Sequence, residues 1–112
     1  MSIKDDRLYL QHILEAIEKI EKYIGSAEYS RFVSDEIIAD AVIRQLEIIG
    51  EACTKLSEEF RRKAIDIPFR DIIDMRNMLI HNYAGVSLHI VWETCRKNLP
   101  DLKLLVEKHL AE

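Results

Sequence analysis

Hydrophobic side chains recur every three or four residues along most of this chain, which is the spacing of one face of an α-helix. The first stripe predicts a helix over residues 5–24. Its members are Tyr9, Leu10, Ile13, Ala16, Ile17, Ile20 and Ile24. Gly25 follows at once, and glycine commonly takes the left-handed conformation that ends a helix. The polar segment 26–33 is therefore expected to be a short connection.

A second helix is predicted from Ser34, a good N-cap residue, to about residue 63. It is apolar on two sides, and the main stripe, centred on Gln45, consists of Ile38, Ala41, Val42, Ile48, Ile49, Ala52 and Leu56. The second patch consists of Ala39, Ile43, Leu46 and Gly50. Either a partner subunit covers this second side, or the helix is the buried centre of the bundle. Because glycine in mid-helix costs about 1 kcal/mol relative to alanine, Gly50 predicts a close approach of another backbone.

Pro68 suits the first position of a third helix over residues 68–81. Residues 83–86 interrupt it, Ser87 caps a fourth helix that runs to about residue 97, and Pro100 begins a short terminal helix. The 112 residues include only 3 glycines and 2 prolines, which are too few for the turns of a β-sandwich or barrel. The predicted fold is therefore all-α: one domain, residues 1–112, forming an antiparallel four-helix bundle with a short extra C-terminal helix.

Composition and charge narrow the classes of function. The net charge is -4, so no overall positive field attracts nucleic acid, and any polyanion needs a local site. Charges interrupt every apolar run before it reaches membrane-spanning length, so no membrane association is expected. The N-terminal residues lack the apolar core of a secretory signal, which predicts a cytoplasmic protein.

Several reactive or ionisable residues have predicted structural or solvated roles. Cys53 and Cys95 stand far apart without a C-x-x-C pair, so they are expected to be core or boundary residues with reduced thiols. No H-E-x-x-H or E-x-x-H motif occurs, so neither a metal nor a cofactor is expected. The acidic pairs at 5–6 and 58–59 are expected on solvated helix surfaces. Three histidines are expected at surface or boundary positions: His12, His89 and His109.

One charged residue breaks the pattern of the third helix. Its apolar stripe, about 120° wide, consists of Phe69, Ile72, Ile73, Leu79, Ile80 and Tyr83. Arg76 lies at the centre of that stripe, where a guanidinium is unfavourable unless it is paired or reaches a wet cleft. One interpretation is a structural ion pair with Glu47 or Glu51 of the second helix. The other is a fixed anion ligand in a cleft, a role that arginine fills better than lysine.

Two further polar residues stand at the end of the same helix. His81 comes five residues after Arg76 and would point about 140° away from it on an ideal helix. Either the helix unwinds before His81, or the two side chains converge with those of a second subunit. By itself, a histidine here would only favour the negative end of the helix dipole. Tyr83 either ends the apolar stripe with its ring in the core or reaches solvent beside the cleft.

The string R-N-M-L-I-H-N-Y at residues 76–83 resembles the R-x4-H-x-Y signature of HEPN-domain ribonucleases, specifically toxins of the HepT type. The resemblance covers nearly the whole chain and includes R-Q-L-E-I-I-G-E-A at 44–52, I-P-F-R-D-I-I-D-M-R-N at 67–77 and V-W-E-T at 91–94. It implies a dimeric, HEPN-like helical bundle whose site forms at the subunit interface. It also implies a metal-independent endoribonuclease in a type VII-like toxin–antitoxin system. The implied antitoxin is a minimal nucleotidyltransferase that neutralises the toxin by adenylylating Tyr83.

The residue types of this motif suit the cleavage of RNA. Without a metal, the 2′-hydroxyl must lose a proton as it attacks phosphorus, and histidine suits this step because its ordinary pKa is about 6.5. His81 is therefore the candidate acid–base residue, and the partner subunit's His81 could protonate the leaving 5′-oxygen. Arg76 would stabilise the phosphoryl oxygens, and Asn77 would orient the phosphate or the histidine. DNA lacks the 2′-hydroxyl, so it is not an expected substrate.

Two other functions are consistent with the sequence. The first is a catalytically silent helical interaction or substrate-binding module that partners a nucleotidyltransferase, with Arg76 merely ion-paired. The second is a purely structural helical dimer. RNA cleavage by the pure protein in a chelator separates the enzyme from both.

Overall fold

The computed structural model describes residues 3–112, apart from the side chains of Ile3, Lys4 and Tyr83. Its α-helices are α1 (Ile3–Ile24), α2 (Tyr29–Ser34), α3 (Glu36–Lys55), α4 (Glu58–Lys63), α5 (Phe69–His81), α6 (Leu88–Glu93) and α7 (Leu99–Ala111). A 3₁₀ turn (Tyr83–Gly85) follows α5, and a π-helical segment (Thr94–Asn98) joins α6 to α7. Residues 3–112 contain no strand, so the predicted all-α class is confirmed. None of the described helices is both long and apolar enough to cross a bilayer.

The first helix forms one side of the core and packs against α3 and α7. Its buried apolar residues belong to the predicted stripe: Leu10, Ile13, Ala16, Ile17, Ile20 and Ile24. Gly25 has a φ of 54° and ends α1, also as predicted. Arg7 donates to the Leu110 carbonyl at 2.7 Å, and Asp6 contacts Ser57. The N-terminal end of α1 therefore lies beside the C-terminal ends of α7 and α3. Helix α1 therefore runs antiparallel to both.

The predicted second helix is divided, since α3 ends at Lys55 and α4 begins at Glu58. The Asp6 carboxylate explains the division, because it accepts hydrogen bonds from the backbone N–H and the hydroxyl of Ser57, each at 2.7 Å. The Ser57 N–H is thus withdrawn from the helical ladder, and the Ser57 side chain caps α4 by accepting the Phe60 N–H. Asp6 is 6% exposed, so the prediction of a solvated carboxylate is wrong for this residue.

The chain before α3 also differs from the prediction. The segment 26–33 is not wholly a connection, because most of it belongs to α2. Phe32 is fully buried, and its ring packs against Trp92 of α6 with 5.3 Å between the ring centroids. Asp35, not Ser34, caps α3, since its carboxylate accepts the N–H groups two and three residues further on. A carboxylate is a stronger acceptor than a hydroxyl, which favours this choice of cap.

Both apolar sides of α3 are covered within the chain, because α1 and α5 pack against it. Ala39, Leu46 and Gly50 of the second patch are buried. A Cβ at Gly50 would lie 2.2 Å from the Arg76 Cβ of α5, so the predicted close approach at this glycine is confirmed. The chain itself covers most of the second patch and leaves Ile43 half-buried, which favours the buried centre of the bundle. That patch therefore gives no evidence for a partner subunit.

The predicted fourth and terminal helices form one continuous helical rod over residues 88–111. Ser87 caps its start by accepting the Ile90 N–H at 3.3 Å, as predicted. Pro100 stands in the first turn of the terminal helix, as predicted, but this helix is not separate, because the π-helical segment joins it to α6. Proline has no N–H for the carbonyl one turn back, and the π-helical segment accommodates this with a wider turn, in which the Leu99 N–H donates to the Thr94 carbonyl.

His109 anchors α7 to the loop between α4 and α5 and is more than a surface or boundary residue. Its side chain is 6% exposed, with Nε2 2.9 Å from the Asp66 carboxylate and Nδ1 3.0 Å from that of Glu112. Lys108 also donates to Asp66 at 2.9 Å. These hydrogen bonds, first that of His109 and then that of Lys108, lower the pKa of Asp66 to about 2. Asp66 therefore stays ionised, and able to accept both bonds, far below neutral pH.

The two cysteines are buried free thiols, as predicted. Burial raises the pKa of Cys53 and that of Cys95 to about 12. Because the thiolate is the reactive form, neither side chain is a nucleophile at neutral pH.

Candidate active site

One side of α3 is left open between α1 and α5, where it forms the floor of a groove of about 410 Å³. The floor residues recur at helical spacing: Arg44, Glu47, Ile48, Glu51, Ala52 and Lys55. Tyr9 and His12 of α1 form one wall, and Arg76 and Ile80 of α5 form the other. Arg76 therefore lines an open groove that carries several charged side chains, rather than a closed core.

The Arg76 guanidinium is held at two points. Its Nη2 donates to the Glu51 carboxylate at 2.7 Å, and its Nη1 donates to Oδ1 of Asn77 at 2.9 Å. Of the two acids considered from the sequence, Glu51 is the partner, while Glu47 pairs with Arg44 at 3.6 Å. A guanidinium carries five N–H donors, so these contacts leave donors for an anion. The ion pair and the anion site are thus compatible interpretations of one side chain.

Gly50 makes room for the stem of Arg76. A Cβ on this glycine would lie 2.2 Å from the Arg76 Cβ and 2.6 Å from its Cγ, far inside van der Waals contact. The missing side chain therefore lets the aliphatic part of Arg76 cross directly over the α3 backbone. The side chain is 26% exposed and its Nε is buried, so the stem is shielded while Arg76 still lines the groove.

His81 is not brought to Arg76 within one chain. Helix α5 continues through His81, its last residue, and the Asn82 N–H still donates to the Met78 carbonyl. His81 is exposed, and no hydrogen bond joins it to Arg76 among the described side chains. Unwinding of the helix before His81 is therefore excluded. Convergence with a second subunit is the other route, and it stays a prediction.

The remaining two motif residues lie on either side of His81. Asn77 accepts a hydrogen bond from Arg76, so it orients the guanidinium, and its predicted contact with a phosphate or a histidine stays a prediction. Tyr83 begins the 3₁₀ turn, but its side chain lies outside the described residues. Its predicted modification therefore stays a prediction as well.

Sequence reasoning missed three residues of the groove: His12, Arg44 and Lys55. His12 is exposed, and its ring meets the Tyr9 ring edge-on with 5.7 Å between the centroids. Lys55 lies 4.0 Å from Glu51, on the same face of α3 as Arg44. The spacing of the charges at 44, 47, 51 and 55 already indicates one polar helix face. His12 had no such signal, because it enters the groove from another helix.

The groove suits an anion better than a metal ion. Among the described side chains, no three histidine, cysteine, aspartate or glutamate residues are grouped so that they could hold a metal. Three cations line the groove: Arg44, Lys55 and Arg76. Guanidinium and ammonium groups are the usual protein ligands of phosphate oxygens.

A separate cavity of about 200 Å³ lies between α3, α5 and the C-terminal rod. Its lining is mainly apolar: Leu46, Ile49, Ile72, Met75, Leu99 and Leu102. Neither Arg76 nor His81 belongs to this lining. This cavity therefore lacks the motif side chains, whereas Arg76 lines the groove.

The protein is an all-α bundle with an arginine in an open groove, and comparison with known sequences identifies its family. The family model for HepT-like ribonucleases matches residues 13–109, so the chain belongs to the HepT-like ribonuclease family. The resemblance of the motif to HepT-type HEPN ribonucleases is thereby confirmed.

Three relatives illustrate this membership. The "Gamma-glutamylcyclotransferase and putative RNase" of Methanocaldococcus jannaschii is 44% identical over 109 residues, which are 97% of this chain and 49% of that protein. A "Putative RNase" of Caldanaerobacter subterraneus is 41% identical over 98% of both chains. The "Probable ribonuclease HepT" of Thermococcus cleftensis is 42% identical over 89% of this chain and 91% of its own. The chain thus spans about half of the first relative and most of the other two. No solved structure matches it significantly.

Proposed function

We propose that this protein cleaves RNA as a metal-independent endoribonuclease and acts in the cytoplasm as the toxin of a type VII-like toxin–antitoxin system. The observation that carries the proposal is the Arg76 guanidinium, held by Glu51 and Asn77 in an open groove beside two further cations. Membership of the HepT-like ribonuclease family and relatives named as ribonucleases support it.

In this proposal Arg76 binds the scissile phosphodiester through the donors that Glu51 and Asn77 leave unused. Negative charge builds on the non-bridging oxygens as the 2′-oxygen attacks phosphorus, and a guanidinium already fixed in place stabilises it without reorganising. His81 takes the proton from the 2′-hydroxyl. The products are a 2′,3′-cyclic phosphate and a 5′-hydroxyl.

We place the Arg76 and the His81 of one site on different subunits of a homodimer. On one chain Arg76 lines the groove, whereas His81 is exposed at the end of α5, about 140° further round the helix. The groove is open along α3, so a second copy can lie against it and bring the partner subunit's His81 to Arg76. A two-fold dimer would contain two such sites.

The purified protein is expected to cleave single-stranded RNA in EDTA and to leave 2′,3′-cyclic phosphate ends, because the attacking oxygen belongs to the RNA itself. Mass spectrometry of the fragments identifies the ends. The matched substrate is the same oligonucleotide with a 2′-deoxynucleotide at the cleavage position, which should stay intact. Abolition of cleavage by EDTA, or fragments that end in a 3′-hydroxyl, would contradict the proposal.

We further propose that a minimal nucleotidyltransferase antitoxin adenylylates Tyr83 and thereby neutralises the toxin. Tyr83 stands two residues after His81, where α5 gives way to the 3₁₀ turn. An added adenylate carries a negative phosphodiester, which would compete with the RNA phosphate for Arg76. This mechanism leaves the fold and the dimer intact.

Incubation with such a nucleotidyltransferase and Mg-ATP is expected to add adenylate mass to the intact protein and to suppress RNA cleavage. Tyr83→Phe should gain no mass. The matched control is Tyr29→Phe, whose ring packs against His89 and Trp92, and which should be modified like the wild type. An undiminished mass gain in Tyr83→Phe would place the modification elsewhere, and no gain at all would leave only inhibition by docking.

A second candidate function is a catalytically silent module that binds a nucleotidyltransferase. The observation that favours it is the pairing of Arg76 with Glu51 at 2.7 Å, while His81 stands apart on the same chain. The motif would then be a docking surface, and the pure protein would leave RNA intact with or without EDTA. The cleavage experiment with EDTA therefore decides between the two functions.

A further inference from the structure

One histidine lines the Arg76 groove of a single chain, and it is His12 rather than His81. Its ring is exposed on the α1 wall, across the α3 floor from Arg76. The groove encloses about 410 Å³, within the range of roughly 300–1,000 Å³ typical of small-ligand sites. A ligand that fills this groove therefore meets the guanidinium on one wall and the imidazole on the other.

The charged and titratable groups around His12 leave its ring nitrogens available. The groups that face it are Tyr9 from α1, Arg44, Glu47, Glu51 and Lys55 from α3, and Arg76 from α5. Both carboxylates are engaged elsewhere, because Glu47 pairs with Arg44 and Glu51 pairs with Arg76 and Lys55. No ion pair or hydrogen bond within the described part of the chain occupies the imidazole. The edge-on contact with the Tyr9 ring, with 5.7 Å between the centroids, restricts the imidazole.

Cleavage by the 2′-hydroxyl needs two proton transfers, and His81 accounts for one of them. The O2′–P bond forms while the P–O5′ bond breaks, one base receives the 2′ proton, and one acid supplies a proton to the leaving 5′-oxygen. We infer that His12 is this acid, a further catalytic residue that protonates the 5′-oxygen while Arg76 holds the phosphoryl oxygens. This inference rests on the proposed ribonuclease function. No oxidant, metal or co-reactant enters the balance.

A substrate whose leaving group needs no acid tests this role directly. In RNA with a 5′-bridging sulfur at the cleavage position, the leaving thiolate departs without a proton. On ordinary RNA, His12→Ala and His12→Gln are each expected to lose about a hundredfold or more in cleavage rate. On the sulfur-bridged RNA both variants should cleave within a few-fold of the wild type. His81→Ala should stay slow on both substrates, because a base must still remove the 2′ proton.

The matched control is His89→Ala, because His89 is exposed on α6 and its ring contacts Tyr29. This variant should cleave both substrates like the wild type. Equal losses on both substrates would give His12 a binding role and overturn the inference. Full activity of His12→Ala on ordinary RNA, or sulfur rescue of His81→Ala instead, would overturn it too. A wild type that cleaves neither substrate would overturn the ribonuclease proposal itself, so the two failures are distinct.

Discussion

A heterodimer of one Arg76→Ala chain and one His81→Ala chain is expected to cleave RNA although neither variant homodimer does. Removing the guanidinium or the imidazole should each lower the rate by about a hundredfold or more, typical of a lost electrostatic donor or proton-transfer group. In the proposed dimer each site takes Arg76 from one chain and His81 from the other. The heterodimer then has one site with both defects and one intact site, which gives roughly half of the wild-type rate.

Co-expression with two different affinity tags isolates this heterodimer, and fragment yield over time measures its rate. The control pairs a wild-type chain with a chain that carries both Arg76→Ala and His81→Ala. That heterodimer has no intact site if the sites are shared, and one intact site if each lies within a chain. Shared sites predict an active Arg76→Ala/His81→Ala heterodimer and an inactive control, and sites within one chain predict the reverse. An active control together with an inactive Arg76→Ala/His81→Ala heterodimer would therefore exclude the shared site.

Several features that depend on local sequence were predictable, although the cap of α3 was not. The stripe of α1 and its end at Gly25 follow from spacing and from one conformational preference, and both are confirmed. The close approach at Gly50 was predictable too, because a glycine in mid-helix is unfavourable without a reason in packing. Ser87 capped its helix as expected, since the bond spans only three residues.

Features that depend on distant contacts were not predictable. The break between α3 and α4 follows from Asp6, which lies 51 residues before Ser57. The continuity across Pro100 depends on a π-helical turn that periodicity does not show. In the candidate site, Arg76 stood out in one helix and Glu51 was one of two candidate partners. His12 was assigned to a surface or boundary position, and its place in the groove was missed because only the fold brings α1 beside it.

Gly50→Ala is expected to destabilise the protein, although alanine favours a helix over glycine by about 1 kcal/mol. The new Cβ would lie 2.2 Å from the Arg76 Cβ, an atom fixed to the α5 backbone, so α3 and α5 must move apart. Overpacking of this kind typically costs about 1–3 kcal/mol, which exceeds the gain in helix propensity. Urea denaturation of the wild type and the variant measures the difference in free energy of unfolding.

The sign of this effect is expected to depend on the residue at position 76. Arg76→Gly removes the opposing Cβ and Cγ, so in that background Gly50→Ala should stabilise by about the helix-propensity gain of 1 kcal/mol. Arg76→Ala is the matched control, because it lacks the guanidinium but keeps the Cβ, and there Gly50→Ala should still destabilise. A stabilising Gly50→Ala in the wild-type or the Arg76→Ala background would mean that the helices do not meet at this glycine. The double-mutant cycle thus separates the packing of the Arg76 stem from the chemistry of its guanidinium.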